Sequence, residues 1–182
     1  MSIVPVHIRP HLIPFFFKEF DGKDANYLGQ KVKAIRVSTS SSLGRMMRLF
    51  MVKVEKPTKV VDHYQLYLSV ADKPGGGKEY DGNYYKFESG SRSFLELPAD
   101  TNKEINNLLE DIFRVAFMSF MEGYMMAHGA VINSGINEFI DKYDLLEVGL
   151  SVDSMRQLHY REKKKAKLAR LQVRPSNRVA NS

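Results

Sequence analysis

Between Ile105 and Met125 the chain carries more apolar surface than one helix face can hold. Ile105, Leu108, Leu109, Ile112, Ala116, Phe120 and Tyr124 recur at spacings of three and four, and Phe113, Phe117, Met121 and Met125 extend the stripe around a second side. A helix with so wide a stripe must be largely buried, so the rest of the chain has to supply the surfaces that cover it. Thr101-Asn-Lys-Glu104 reads as a capping box that starts this helix, and His128-Gly129 reads as its end. If the protein self-associates, the helix over 105–125 is the expected interface, because its girth exceeds what one sheet face can cover.

The residues ahead of this helix supply a sheet. Residues 63–70 alternate, with Tyr64, Leu66, Leu68 and Val70 on one side, and 31–37 form a second β-branched run. Residues 84–87 and 93–97 read as further strands, separated by a turn at 89–91 and ended by Pro98. The stretch 43–54 fits both periods. Gly44 and the alternation of Phe50, Val52 and Val54 favour a strand beginning near residue 46. Pro5, Pro10 and Pro14 deny the first twenty residues a helix or a central strand, which leaves an edge strand or an extended wrap anchored by Phe15, Phe16 and Phe17. Asp21–Asp24 and Asn26–Gly29 read as turns, and Ser38–Ser42 as a polar linker of hydroxyl side chains.

After Gly129 a helix runs through Ile132, Ile136, Phe139, Ile140 and Tyr143, and residues 145–150 turn the chain. Ser151 then caps a last helix with Asp153 in its first turn, extending to about Leu171. The reading is α+β: an antiparallel sheet packed by a long amphipathic helix over 1–128, a helical hairpin with a basic last helix over 129–172, and a disordered tail over 173–182.

Charge divides the chain more sharply than composition does. Residues 151–182 hold nine Lys or Arg against two acids, +7, whereas the whole chain is +6 and residues 1–150 are −1. A near-neutral body with a basic arm suits a polyanion. Arg156, His159, Tyr160, Lys163, Lys164, Lys167 and Arg170 recur along one side of the last helix, opposite a short docking edge of Val152, Met155 and Leu158. Such a row can follow a phosphate backbone, each cation displacing a condensed counterion. These seven are the expected nucleic-acid contacts, and Arg156, Tyr160 and Lys163, early on the helix, are the ones placed to reach past the backbone. The partner is DNA or RNA, and no membrane is expected, because the helix offers little apolar surface on its far side. The rival reading is a structural or virion-associated interaction protein whose arm grips an acidic partner or a packaged genome without reading sequence.

A second surface is the sheet, where Arg36, Arg45, Arg48, Lys53, Lys56 and Lys59 interleave with Tyr64, Tyr67, Tyr84, Tyr85 and Phe87. Aromatics among cations can stack the bases of a single strand. Arg36, Arg45, Arg48 and Tyr67 are its leading residues.

Three resemblances bear on this. Residues 128–172 resemble a helix-turn-helix, which implies that the second helix enters the major groove, although the turn over 145–150 exceeds the usual ~3–4 residues. Residues 31–127, strands and then a capped helix after FLELP, resemble Whirly and Pur-type single-strand binders. SSLGRMMRLF, FLELP and FIDKYDLLEVGLSVDSMRQLHYREKK resemble small proteins of bacterial phages and mobile elements, a setting that implies DNA-binding regulators or virion parts.

Catalysis is not expected. No cysteine is present, so thiolate chemistry, disulfides and cysteine-ligated zinc are excluded. Pro74-Gly-Gly-Gly-Lys78 lacks the first glycine of a phosphate loop, has Glu79 in place of the hydroxyl residue, and opens no helix. Pro10 breaks the helix that would align His7 with His11 on a metal. No cofactor or metal is expected, and the lack of a leader-like or membrane-length apolar run suggests the cytoplasm.

Overall fold

The computed structural model describes residues 2–38, 40–54, 56, 65–70, 94–129 and 131–165. The expected strand over 84–87, the turn over 89–91, the loop at Pro74, the tail over 173–182, and Lys59, Tyr64, Tyr84, Tyr85, Phe87, Lys167 and Arg170 lie outside them. The fold is α+β. The chain divides into two compact units, Met1–Leu108 and Leu109–Ser182, a boundary inside the long helix rather than after it.

In the first unit, β1 (Ser2–His7) forms one edge of a four-stranded sheet, as Pro5 requires, since its missing N–H would break a central ladder. The helix α1 (Leu12–Glu19) follows, where an extended wrap was expected. Pro14 is its third residue, a position whose N–H has no intrahelical acceptor, so proline costs nothing there. Leu12, Phe15 and Phe16, at helical spacing, are its buried residues.

The strands β2 (Lys23–Tyr27) and β3 (Gln30–Arg36) form a hairpin closed by two residues, Leu28 and Gly29, both at positive φ. That is the turn whose twist matches paired strands, and the Asn26 side chain accepts from Gly29 N at 2.9 Å. Chain then passes through α2 (Ser42–Phe50) and β4 (Val52–Val54) to β5 (Gln65–Val70). Because a helix intervenes, β5 lies parallel to β3 while pairing antiparallel with β1, and the order is β1-β5-β3-β2. The sheet is therefore mixed where an antiparallel one was expected. One face carries Val4, Val6, Ile35, Leu66, Leu68 and Val70, all buried. β6 (Phe94–Glu96) pairs separately with β4.

Residues 42–50 are helical rather than extended because Ser41 caps them. Its hydroxyl accepts from Gly44 N at 3.0 Å, and the alternation of Val52 and Val54 belongs only to the short strand that follows. The long helix α3 (Ala99–His128) begins two residues ahead of Thr101, with Asn102 N donating to the Pro98 carbonyl. Proline's fixed φ suits a helix start, so Pro98 both ends β6 and opens α3, and the expected box at Thr101 falls inside the first turn.

The second unit is helical. Residues 109–128 of α3 pack with α4 (Ile132–Lys142) and α5 (Val152–Lys163). Phe139 of α4 sits edge-on to Phe113 and Phe117, with ring centroids 5.8 and 5.0 Å apart. Phe113, Phe117 and Met121 are thus covered within the chain, whereas Leu108, Ile112, Phe120, Tyr124 and Met125 are half-buried. Close approach of α3 and α4 depends on Gly135, where a Cβ would lie 2.9 Å from Tyr124 Cδ1 and 3.1 Å from Met121 Cε.

Gly44 gives the sharpest steric test. A Cβ there would stand 1.9 Å from the Ser38 carbonyl oxygen, backbone that has no rotamer to yield. Gly44→Ala is expected to lower stability by about 1–3 kcal/mol or more, read as a fall in the urea midpoint, with the helical unit less affected.

Candidate nucleic-acid interface

The last helix is held at both ends. Ser151 and Ser154 exchange hydrogen bonds, Ser154 N to Ser151 Oγ at 3.2 Å and Ser151 N to Ser154 Oγ at 3.1 Å, so the expected cap is a reciprocal box. Ahead of it a short 3-10 helix (Leu145–Val148) fills the turn from α4, with Gly149 at φ 83° closing it and Leu150 N donating to the Leu145 carbonyl at 3.1 Å. Buried Leu145 anchors this turn, which is why it is longer than a bare three-residue connection.

Met155, Leu158, His159 and Glu162 are the buried residues of α5. Their spacing of three, one and three fixes the rotation of the helix about its axis. His159 was expected among the contacts, but it is 1% exposed and faces inward, its ring edge-on to Phe117 at 6.3 Å. Five of the seven expected contact residues fall within the described chain, and of these Tyr160, Lys163 and Lys164 are exposed, Tyr160 by 52%. Arg156 is half-buried and held, its Nε donating to Asn133 Oδ1 at 3.0 Å and its Nη1 to Asp153 Oδ1 at 2.9 Å.

With His159 turned in, the outward strip becomes Asp153, Gln157, Tyr160, Arg161 and Lys164, spaced by four, three, one and three and all exposed. Gln157 and Arg161 were missed because a histidine among cations looked like part of the cationic face. Counting phase from Met155 and Leu158 alone would have found them.

The cations differ in how far they are engaged. Arg161, Lys163 and Lys164 form no ion pair among the described residues, whereas Lys165 Nζ lies 3.4 Å from Glu162 Oε1. That buried carboxylate also meets Arg114 Nη1 at 3.3 Å, and Arg114 Nε contacts Glu110 Oε1 at 2.7 Å. Glu110, Arg114, Glu162 and Lys165 therefore form an alternating chain of charges where α5 ends, which offsets the cost of burying Glu110 and Glu162.

The sheet surface is arranged otherwise than expected. Arg45 and Arg48 are on α2 rather than on a strand, with Arg45 folded over the preceding loop through Ser40 O at 2.9 Å and Ser42 Oγ at 3.1 Å. Arg36 is exposed at the end of β3, in register with Ser69. Tyr67 is half-buried, shares its face with buried Pro5 and Ala34, and tilts against buried Tyr27 at 5.7 Å. Burial raises the Tyr67 hydroxyl above its ordinary pKa. Half-covered in this way, the ring keeps only part of its surface open. Among the described residues, no group of three or more His, Asp or Glu side chains gathers as a metal site would, and no helix is long and apolar enough to cross a membrane.

The buried imidazole makes a test. His159 Nδ1 has no hydrogen-bond partner among the described residues, and burial first, then the Lys163 charge, holds its pKa below the ordinary value of about 6.5. The folded chain thus takes up this proton less readily than the unfolded chain. Stability is full above pH ~6.5 and is lost progressively as pH falls below it. Urea midpoints between pH 7.5 and 5 should show this loss, and His159→Leu should flatten it; an unchanged slope in that variant would assign the loss to other groups.

Comparison with protein-family models, curated proteins and solved structures gives no match for this chain.

Proposed function

We propose that this protein binds nucleic acid, most directly double-stranded DNA, through the exposed side of α5 and the basic residues that follow it. One observation carries the reading. α5 is docked by Met155, Leu158 and His159, and this leaves Arg161, Lys163 and Lys164 outward without ion-pair partners among the described residues. Cations left unneutralised on a fixed helix are available to phosphates, and each phosphate contact releases a counterion. The helix ends at Lys163, short of the expected Leu171, and Lys167 and Arg170 add charge to the sequence that follows it, outside the described residues. The docking also speaks against a membrane surface as partner, since the apolar side chains that would enter lipid are already buried. The protein is read as a binding protein with no reaction of its own, in keeping with a regulator of a phage or mobile element.

The sheet surface is the weaker site, because Tyr67 is half-buried and Arg45 is engaged with its own loop. A basic arm that grips an acidic protein remains the rival and is separated by the same measurement. Binding of a labelled duplex, followed from low to moderate salt, should weaken with a log–log slope of about −0.9 per phosphate contacted. Replacing Lys163 and Lys164 together by Ala should make that slope shallower by about 2 and weaken binding to all sequences alike. Absence of duplex binding at low salt would discard the proposal in favour of the acidic-partner reading.

A further inference from the structure

Polar side chains are not spread evenly along the exposed side of α5. Its C-terminal end and the two residues after it, from Arg161 to Lys165, are cationic outward, with Glu162 turned in. Its earlier residues instead present Asp153, Arg156, Gln157 and Tyr160, groups of mixed donor and acceptor character. Phosphates need only the first kind of surface. Base edges, which present donors and acceptors in sequence-dependent order, need the second.

Arg156 is the fixed member of that set. A surface arginine ordinarily samples many rotamers, and ordering it costs free energy on binding. Here Asn133, on the neighbouring helix, accepts from Nε, and Asp153, one turn back on α5, accepts from Nη1. Two acceptors on different elements hold the guanidinium plane, and Nη2 has no hydrogen-bond partner among the described residues. The side chain keeps 38% of its surface exposed, so the held group still faces outward. An arginine held in this way presents a directed donor rather than a diffuse charge, and planar donors of this kind match the O6 and N7 acceptors of guanine.

We infer that Arg156 is the specificity-determining residue of the interface, donating to guanine in the major groove of duplex DNA, with Asn133 and Asp153 as its positioning residues. This rests on the nucleic-acid reading above. The cationic end of α5 and the residues that follow it supply affinity without regard to sequence, and the earlier residues of the helix supply selection.

The experiment is selection of bound duplexes from a random-sequence pool by the full chain, followed by affinity measurements on an enriched duplex. Wild type should enrich guanine at one or more positions. Placing 7-deazaguanine there, which removes only the N7 acceptor, should weaken binding about five- to a hundredfold. Arg156→Lys keeps the charge but loses the planar fork, and it should erase the guanine preference while binding unselected duplex with an unchanged salt slope. Asn133→Ala, at an exposed side chain, should reduce the preference in part. Thermal unfolding of each variant checks that the helices still pack. No guanine enrichment, enrichment that survives Arg156→Lys, or preference for single strands would overturn the inference while leaving sequence-independent binding in place. Loss of all duplex binding in wild type would overturn it together with the proposed function.

Discussion

The rotation of α5 about its own axis decides what the helical unit shows to solvent, and a small buried contact sets that rotation. Phe139 lies between Phe113 and Phe117, and His159 meets Phe117 from the other helix. Aromatic pairs of this kind contribute about 0.5–1.5 kcal/mol beyond the area they bury and favour edge-on geometry over sliding contact. With His159, Met155 and Leu158 turned in, Asp153, Gln157, Tyr160, Arg161 and Lys164 have to face out. A turn of α5 by one residue would put Arg156, Tyr160 and Lys163 where Met155, His159 and Glu162 now lie, groups the interior could not accommodate without partners.

The end of α5 is governed by charge instead. Arg114 lies between the carboxylates of Glu110 and Glu162, and Lys165 approaches Glu162 from the helix end. Such a chain contributes little net stability once desolvation is counted, but it is selective about geometry, because each carboxylate is buried and would be costly alone. The apolar layer thus sets how α5 is rotated, and the ionic chain sets where its C-terminal end rests. The same cluster explains why Lys165 is the least available of the terminal lysines.

How much of this was legible in the sequence varied with how local the deciding physics is. The long helix, the cap at Ser151 and the strands around residues 31–37 and 65–70 followed from periodicity and capping, which depend on near neighbours. Pro14 was misread because a proline's cost depends on its position from the helix start, and nothing local marked that start. The helix at Ser42–Phe50 was missed because its cap, Ser41, lay inside a run of hydroxyl residues with no distinct signal. The parallel pairing of β3 with β5 is a property of the crossover between them and has no signature in either strand. Along α5 the exposure of Tyr160, Lys163 and Lys164 was readable, and the inward turn of His159 was not, since histidine suits both a core and a cationic face.

The sheet has one further property, which concerns how the chain reaches this fold. β1 pairs with β5 so that Ser2 lies opposite Val70, and β3 is joined to β1 only through that same strand. Neither β1 nor the β2–β3 hairpin can join the sheet until β5 is available, and the loop that must close to seat β1 is long. The β2–β3 hairpin and the helices after residue 109 depend on contacts between near neighbours in sequence. Folding rate falls as contacts become less local, so sheet closure is expected to be slower than formation of the helical unit. During synthesis β1 emerges first and waits longest for its partner, an unpaired strand that Pro5 makes a poor template for pairing with another chain.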